Sequence, residues 1–400
     1  MLLALDALLF LAGLPSLAAS CYLFALAALA RKSTRHRVRT ATPNFAVLVP
    51  AHNEERGIAE TIESLKTLVY PAERFHIIVI ADNCSDKTAS LAQAAGARVL
   101  ERIDVSQRGK GFALKYAFDT LSAEGVFDAY AIIDADTSVS PNLLDAFALE
   151  LEHGAHAVQA HYTVRNPHVS WRTRLMTLAL TLFHGVRSLG RERLQLSVGL
   201  RGNGMCFSKE LVRAVPHAAY SIVEDLEYGI KIGLQGYRVH NAANASVYGD
   251  MVANERDSRS QRQRWEAGRR AIAREYGPRL ISEGLRKRSL LLFDLGVDVL
   301  LPPLASLVAY VCLGSLLSLS LIVFFDQGLW LFAPFGLATF GIVFYVLSGV
   351  VHSGLGARAL LDLLWAPPYI VWKLAIRVLR LGAPGAEWVR TNREKPGSNQ

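Results

Sequence analysis

Two aspartates stand one residue apart at the end of an apolar run, in the segment AIIDADTSVSP at residues 131–141. In an extended strand, residues i and i+2 point to the same side, so Asp134 and Asp136 can converge on one point. Two carboxylates that close require a cation between them or a shared proton. Such oxygen ligands suit Mg²⁺ or Mn²⁺ together with substrate phosphates. Aspartates also commonly occupy turns and helix caps, so this motif alone leaves a structural role open.

A second acidic pair, Glu224 and Asp225, opens a helical stretch in SIVEDLEYGIKIGLQGYRV at residues 221–239. A carboxylate can take a proton from a substrate hydroxyl if it is held within hydrogen-bond reach. Acidic residues in the first turn of a helix also complement the helix dipole. The position of this pair is therefore compatible with a catalytic and with a purely structural role.

Basic groups that could meet phosphate occur in two segments. QRGKGFALKYAF, residues 107–118, places Lys110 and two glycines just before a helix, where backbone N–H groups and a flexible lysine can face an anion. QRQRW lies in a basic helical stretch, and helical spacing puts three of its side chains on one face: Gln261, Arg264 and Trp265. A solvated basic turn and a membrane-surface helix would show the same two patterns.

The elements that must position these residues alternate between strand and helix. The apolar runs at 45–50, 75–82 and 129–136 predict buried strands, and helical spacing between them predicts helices. One of these helices is expected to begin at an N-cap on Ser85 and to stop at Gly96. This order predicts an α/β fold with a doubly wound, mostly parallel sheet. Ligands of such sheets bind at the carboxyl ends of the strands, where the polar residues lie.

Composition indicates a membrane protein. The chain has 400 residues, of which 51% are hydrophobic, and a net charge of +8. Three stretches with at most one charge are long enough to cross a bilayer: 2–30, 299–325 and 327–357. The first could instead be a signal peptide, but its basic residues follow the apolar run, as they do in an uncleaved anchor.

The basic residues also predict an orientation. They follow the first span, precede the second and follow the third, whereas the short link around Asp326 carries none. By the positive-inside rule, residues 31 to about 300 and the C-terminal tail are expected in the cytoplasm, and the protein in the cell (inner) membrane as a multi-pass protein. Attraction to anionic lipid accounts for the charge, so no nucleic-acid partner is expected. The four cysteines lie far apart, as in a reduced compartment without disulfides.

These observations predict a complete domain organisation, in chain order. We expect an anchor (1–30), a basic linker (31–43), a cytoplasmic catalytic domain (44–285), an interfacial segment (286–300), two transmembrane helices (301–352), an interfacial helix (358–381) and a cytoplasmic tail (382–400).

The motifs VPAHNEE, VIADNCSDKT, RGKGFAL, DADT, VED and QRQRW, in this order, resemble the membrane-bound family 2 glycosyltransferases. This group contains cellulose, chitin and hyaluronan synthases and many bacterial exopolysaccharide and glycolipid transferases. The resemblance covers about residues 44–275. It implies a GT-A-like fold and a metal-dependent, inverting hexosyltransferase that moves a sugar from a UDP-sugar to a saccharide or lipid-linked acceptor.

The resemblance also implies a role for each matching residue. Asp82 would contact the nucleotide base, Lys110 would lie by the nucleotide, and Asp134 and Asp136 would hold Mg²⁺ or Mn²⁺ on the diphosphate. Asp225 would be the catalytic base, with Glu224 beside it. Donor and acceptor would be bordered by Gln261, Arg264 and Trp265. One departure is Val223, where cellulose-type enzymes have threonine.

The acceptor and the assembly stay open in the sequence. Three spans and an interfacial helix form a small membrane platform, so export of a polymer would need an oligomer or a partner. Extension of a lipid-linked or short saccharide is equally compatible. A non-catalytic scaffold subunit of a polysaccharide synthesis complex is the alternative to an enzyme.

Overall fold

The computed structural model describes residues 2–32, 39–249 and 255–365, with side chains from residue 6 onward except in 255–264. The strands are β1 (Phe45–Ala51), β2 (Phe75–Asp82), β3 (Arg98–Arg102), β4 (Ala129–Ile132), β5 (Thr137–Val139), β6 (Ala157–Val164), β7 (Met205–Ser208) and β8 (Val239–Gly249). The helices are α1 (Leu2–Leu29), α2 (Ile58–Lys66), α3 (Thr88–Ala94), α4 (Lys110–Glu124), α5 (Leu143–Glu152), α6 (Trp171–Leu180), α7 (Arg187–Arg193), α8 (Lys209–Ala214), α9 (Glu224–Leu234), α10 (Glu255–Arg286), α11 (Leu290–Leu300), α12 (Leu304–Phe325), α13 (Ala333–Ser353) and α14 (Arg358–Asp362).

The described residues form two compact units. The helical unit contains residues 2–31, 168–193 and 300–365, and the sheet unit contains the remainder. Residues 168–193 fall inside the range 44–285 that we expected for the catalytic domain, yet they cluster with the apolar helices.

The sheet unit is built on one eight-stranded sheet, in the order β3-β2-β1-β4-β7-β6-β8-β5. The first four strands are parallel, as predicted. Strand β7 then runs antiparallel to both β4 and β6, so the sheet as a whole is mixed. Strands β6 and β8 pair in parallel and β5 runs antiparallel to β8, so six of the eight strands point the same way. The expectation of a mostly parallel sheet is therefore confirmed, and apolar periodicity does not encode the two reversed strands, β7 and β5.

Hydrophobic cores cover both faces of the sheet. Alternate residues of β1 point to opposite faces, so Val47 and Val49 belong to one core and Ala46 and Leu48 to the other. Helices α2 and α5 cover the first face, and α4, α8 and α9 cover the second. Strand β1 is therefore buried on both sides, which explains its continuous apolar sequence.

Two predicted boundaries need correction. Strand β4 stops at Ile132, so Asp134 and Asp136 lie in the loop after it and not in an extended strand. The strand is interrupted because the side chain of Asn203 accepts the backbone N–H of Asp134 at 3.1 Å. Helix α3 begins at Thr88 and not after a cap on Ser85. The backbone N–H of Ser85 donates instead to the Asn53 side chain at 2.7 Å.

The predicted stop of this helix at Gly96 agrees with the structure. Gly96 follows the end of α3 with φ +85°, a backbone conformation that glycine adopts without steric cost.

The helical unit contains the three apolar stretches that were expected. The ranges Asp6–Leu29, Leu304–Phe325 and Ala333–Ser353 are helices long and apolar enough to cross a membrane. A Cβ on Gly341 would meet the backbone oxygen of Ser20 at 3.0 Å, and one on Gly314 would meet the Phe335 ring at 2.1 Å. Small residues therefore let these helices approach closely, as is usual in membrane bundles.

Helices α6 and α7, joined by a π-helical turn at Thr181–Val186, also pack in the helical unit. The hydroxyl of Tyr345 donates to the backbone oxygen of Leu182 at 2.9 Å. A Cβ on Gly190 would meet the backbone oxygen of Leu26 at 2.4 Å. Helix α14 covers the start of the predicted interfacial helix 358–381, and residues 366–400 lie outside the described part of the chain.

Helix α11 lies in the range predicted as the interfacial segment 286–300, and it packs within the sheet unit. Leu292, Leu295 and Val299 form a buried cluster with residues of α9 and α10, including Ile230 and Ile272. This cluster fixes the relative placement of α9, which carries the second acidic pair, and α10, which carries QRQRW.

Candidate active site

Lys110 is the centre of the candidate site. It is the first residue of α4, and Gly109 before it has φ +124°. Its ammonium donates to Oδ1 of Asp134 at 2.5 Å and to the backbone oxygen of Gly202. Oε1 of Glu224 lies 3.9 Å away. One cation thus connects the loop after β4, the loop before β7 and the start of α9.

The carboxylates around Lys110 determine its charge state. Desolvation lowers the pKa of Lys110, but the charges of Asp134 and Glu224 raise it by more, so the net shift is upward. The lysine is therefore held as an ammonium at neutral pH, next to the carboxylate that the sequence predicted as a metal ligand.

Glu224 and Asp225 begin α9 and both lie near this cation. Burial raises the pKa of Glu224 to about 7, against the lowering effect of Lys110. Burial also raises the pKa of Asp225, and a backbone N–H and Lys110 act in the opposite direction. Carboxylates whose pKa is raised by burial are typical of groups that exchange protons with a substrate.

The loop at residues 199–204 forms the floor of the site. Its Gly202 accepts from Lys110, and a Cβ on Gly202 would lie 3.5 Å from Oδ2 of Asp225. Buried Asn203 accepts from the Asp134 backbone and donates to the Thr137 hydroxyl at 2.8 Å. This polar loop therefore touches both acidic segments.

Gln159 of β6 holds the loop at residues 199–204 in place through hydrogen bonds to its backbone. Its side-chain nitrogen donates to the backbone oxygen of Asn203 at 2.7 Å, and its oxygen accepts from the backbone N–H of Arg201 at 2.9 Å. Gln159 is 2% exposed. These buried hydrogen bonds fix the backbone on which Gly202 is presented.

Asp82 lies at the end of β2, next to β3, the strand that precedes the loop to Lys110. Nη1 of Arg102 donates to its Oδ1 at 2.6 Å, and both side chains are at least nine-tenths buried. Asp82 therefore sits at the carboxyl edge of the parallel strands, as predicted, and its Oδ1 already accepts from Arg102 and from the Asn83 side chain.

Asp136 lies in the same loop as Asp134, two residues further on. Its backbone oxygen accepts from Arg165 at 3.4 Å, and its Oδ1 accepts from the Thr137 hydroxyl at 3.4 Å. Within the described ranges, three or more His, Cys, Asp or Glu side chains do not gather into a metal-binding group. The structure therefore brings Lys110, Asp134, Glu224 and Asp225 together.

The QRQRW segment lies on α10, as the helical pattern predicted. Trp265 is 45% exposed, and the side chains of Gln261 and Arg264 lie outside the described residues. One turn further along, a Cβ on Gly268 would meet Ile222 at 2.6 Å and Val223 at 3.0 Å. Helix α10 therefore packs directly on the segment that leads into Glu224.

Sequence reasoning missed several residues that build this site. Asn203 and Gln159 belong to no charged motif, and the only signal for them is the glycine-rich loop GLRGNG around Asn203. Gly111, one of the two glycines expected to face an anion, has a packing role that the sequence did not indicate: a Cβ there would meet the backbone oxygen of Ala219. The start of α4 and the segment before α9 are thus in backbone contact.

The sheet order, with the acidic groups at the ends of its parallel strands, defines a mixed α/β domain of the GT-A type. A family model described as glycosyltransferase-like family 2 matches residues 43–268, more than half of the chain. The chain belongs to glycosyltransferase family 2.

Two curated relatives illustrate the range of this similarity. The probable glycosyltransferase YdaM of Bacillus subtilis (strain 168) is 25% identical over 264 residues, 63% of this chain and 61% of that protein. The beta-monoglucosyldiacylglycerol synthase of Synechocystis sp. is 25% identical over 232 residues, 56% of this chain and 48% of that protein. The matches thus span about half to three fifths of these relatives.

A solved structure shares the fold over most of the chain. The mannosyltransferase PcManGT from Pyrobaculum calidifontis, determined in complex with GDP-Man and Mn²⁺, superimposes with a TM-score of 0.53. The superposition covers 88% of this chain and 99% of that chain, at 16% identity. At this identity the likeness concerns the fold.

Proposed function

We propose that the protein is a membrane-bound, inverting glycosyltransferase that moves a hexose from a UDP-sugar to a saccharide or lipid-linked acceptor. One observation carries the proposal: Lys110 joins Asp134 to Glu224 at the strand ends of a family 2 domain. A phosphate-binding cation, a metal-binding carboxylate and a proton-accepting pair are the groups that displacement of a nucleoside diphosphate needs.

The donor is proposed to lie across the carboxyl ends of β2 and β4. Asp82 would accept a hydrogen bond from the base, and Lys110 would contact the diphosphate. Gln261 and Arg264, on α10, would approach the diphosphate from the other side. A leaving group with this much negative charge is stabilised by fixed cations that need no reorganisation during the reaction.

A divalent metal would be held by Asp134 and Asp136. The fit is supported by the donor set, since the carboxylate oxygens of Asp134 and Asp136 are ligands that suit Mg²⁺ and Mn²⁺. Because such metals are usually shared with substrate phosphates, two protein carboxylates suffice. When bound, the ion would neutralise charge on the leaving diphosphate.

Asp225 is proposed as the base. It would take the proton of the acceptor hydroxyl while the acceptor oxygen bonds to the anomeric carbon. The bond from that carbon to the diphosphate breaks, and its electron pair leaves with the diphosphate. Attack opposite the leaving group converts an α-linked donor into a β-linked product. Glu224 lies beside Lys110, and its carboxylate would help to keep Lys110 protonated.

The acceptor is proposed to meet Trp265, whose exposed ring offers a stacking face for a sugar. A lipid-linked acceptor is supported by the three apolar helices and by the glycolipid synthase among the relatives. A short saccharide in exopolysaccharide synthesis would use the same ring, and export of a polymer would then require an oligomer or a partner.

The sheet unit is proposed to face the cytoplasm of a cell with the protein in its inner membrane. This follows from the basic residues beside the apolar helices and their absence near Asp326. A reporter fused at the C-terminus should then report the cytoplasm, and one inserted at Gln327 the outside. The same side for both would contradict this orientation.

The proposed function is tested by incubating the purified full chain with a panel of UDP-sugars and GDP-sugars and lipid or saccharide acceptors. Mass spectrometry should show one hexose added to an acceptor, and NMR should show a β linkage. Absence of transfer from every donor, in protein that binds UDP, would favour the scaffold alternative.

A further inference from the structure

The loop at residues 134–137, which carries the two proposed metal ligands, alternates in exposure. Asp134 and Asp136 are partly exposed, whereas Ala135 and Thr137 are buried. The backbone N–H of Thr137 donates to the backbone oxygen of Asp134 at 3.2 Å, which closes the loop into a tight turn. The two carboxylates are therefore accessible to a ligand, while the residues between and after them pack against the protein.

Asn203 binds both ends of this loop with one side chain. Its Oδ1 accepts from the backbone N–H of Asp134 at 3.1 Å, and its Nδ2 donates to the hydroxyl of Thr137 at 2.8 Å. Asn203 is 1% exposed, and its own backbone oxygen accepts from Gln159 at 2.7 Å. Because the amide is bonded at both of its ends, it cannot rotate without breaking two buried hydrogen bonds. It therefore fixes the separation of the two ends of the loop.

Thr61 binds the middle of the loop from another element, helix α2. Its hydroxyl donates to the backbone oxygen of Ala135 at 2.7 Å, and the residue is 2% exposed. The peptide group between the two aspartates thus has a fixed orientation. Two uncharged, buried side chains from distant parts of the sequence therefore hold the backbone of the loop at three points.

We propose that Asn203 and Thr61 are positioning residues that set the metal affinity of the site by holding the loop at residues 134–137 in its binding shape. The inference rests on the proposed function, which assigns Asp134 and Asp136 as metal ligands. A loop that moved freely would lose conformational entropy when it bound an ion, and these buried hydrogen bonds order it during folding instead. Loss of one of them should weaken metal binding about tenfold, the usual scale for groups that orient metal ligands.

The test measures two affinities of the detergent-purified full chain. Electron paramagnetic resonance gives Mn²⁺ binding at saturating UDP, after subtraction of the Mn²⁺ bound by UDP alone, and calorimetry gives UDP binding without metal. Thr61→Val keeps the shape of the side chain and removes the hydroxyl donor, so the Mn²⁺ dissociation constant should rise about tenfold. UDP affinity without metal should stay within twofold of wild type.

Two further variants of α2 and its end separate positioning from general stability. Thr61→Ser keeps the hydroxyl, so its Mn²⁺ affinity should return to within threefold of wild type. Thr67→Val is the matched control, because the hydroxyl of Thr67 is exposed and donates to the backbone oxygen of Ser64 at 2.7 Å, away from the loop. It should leave both affinities at their wild-type values.

Asn203→Ala tests the other side of the loop independently. It removes the acceptor of the Asp134 N–H and the donor to Thr137 together, so the Mn²⁺ dissociation constant should rise at least tenfold. If this variant does not fold, Thr61→Val and its serine counterpart decide the matter.

The possible results separate this inference from the proposed function. Folded Thr61→Val protein that binds Mn²⁺ as tightly as wild type would overturn the inference alone. Equal loss of Mn²⁺ affinity in Thr61→Val and Thr61→Ser would do the same, because the hydroxyl would then not be the cause. Wild-type protein that does not bind Mn²⁺ in the presence of UDP would overturn the metal assignment together with the inference.

Discussion

The ammonium of Lys110 lies 2.5 Å from Oδ1 of Asp134 and donates a hydrogen bond to it. The same nitrogen is 3.9 Å from Glu224. The ion pair links residues 24 positions apart, whereas the Lys110 contact with Gly202 spans 92. The site is therefore held together by one side chain that reaches three separate segments.

Replacement of this side chain should abolish the reaction without unfolding the protein. Lys110→Met removes the cation proposed to face the diphosphate, so turnover should fall ~10²-fold or more, the usual scale for a lost charge-stabilising donor. The control is Lys115→Met on the same helix, whose exposed pair with Asp119 contributes little. Initial transfer rates of the two variants should differ at least fiftyfold. Comparable rates would show that Lys110 does not take part in the reaction.

The contact between Gly111 and Ala219 predicts a second effect. A methyl group at Gly111 would lie 2.0 Å from a backbone oxygen, so Gly111→Ala must push α4 away from the segment before α9. Because a displacement of about 1 Å can cost ~10²-fold in rate, turnover should fall by that order.

Gly229→Ala is the matched control for this prediction. Gly229 lies within α9, and the nearest atom to its added Cβ is 3.5 Å away, an ordinary contact. This variant should keep turnover within threefold of wild type, since alanine is the better helix former. Equal rates for the two variants would show that the approach of α4 to Ala219 does not position the site.

Whether a part of this site could be predicted depends on how far apart in sequence its interacting residues lie. Strands β1 and β2 follow from local periodicity, and the sequence predicts them with nearly correct bounds. Helical spacing also predicts that QRQRW lies on a helix. The geometry of Asp134 does not follow in this way. Its backbone bonds to Asn203, 69 residues later, which ends the strand early. No local pattern contains that partner.

The membrane helices show the same contrast. Each apolar span is visible because about 20 consecutive apolar residues are a local signal. The sequence does not indicate that residues 168–193 pack with the apolar helices. Helices α6 and α7 are short, contain several arginines and resemble helices of soluble proteins. Their packing depends on single contacts such as Gly190 with Leu26.

The metal proposal predicts a binding defect as well as an activity defect. Asp136→Asn should abolish transfer, and it should abolish UDP-dependent binding of Mn²⁺ measured by electron paramagnetic resonance. Asp145→Asn, which alters a partly buried pair with Arg39, should retain both. Chelation of wild type with EDTA should stop transfer, and addition of Mg²⁺ or Mn²⁺ should restore it. Full activity in excess EDTA would contradict a metal-dependent reaction.

His217 predicts how stability depends on pH. Burial lowers its pKa from 6.5 to about 4, with weaker effects of Glu227 and Lys231, and it packs between Phe118 and Tyr228. Because the folded state holds the proton less tightly, the unfolded state gains protons first as the pH falls below about 6.5. The stabilisation is complete above that pH and decreases by about 2 kcal/mol near pH 5.

Thiol labelling of buried Cys206 in urea, followed by mass spectrometry, measures this decrease within the sheet unit. The raised pKa of Glu224 acts in the opposite direction over the same range, so the test is the difference between wild type and His217→Leu. The variant should lack the decrease of about 2 kcal/mol that His217 contributes between pH 7.5 and 5. A variant midpoint that varies with pH as wild type does would show that His217 gains no proton on unfolding.

The most direct test of the account is the transfer rate of Asp225→Asn, measured together with its UDP affinity at saturating donor. If Asp225 takes the acceptor proton, UDP affinity should stay close to wild type and turnover should fall ~10²-fold or more. Glu224→Gln is the comparison, and its loss should be milder because Glu224 acts through Lys110. If Asp225 only complements the helix dipole, Asp225→Asn would cost ~0.3 to 1 kcal/mol of stability and would change the transfer rate little. A folded Asp225→Asn protein that turns over within a fewfold of wild type would contradict the mechanism.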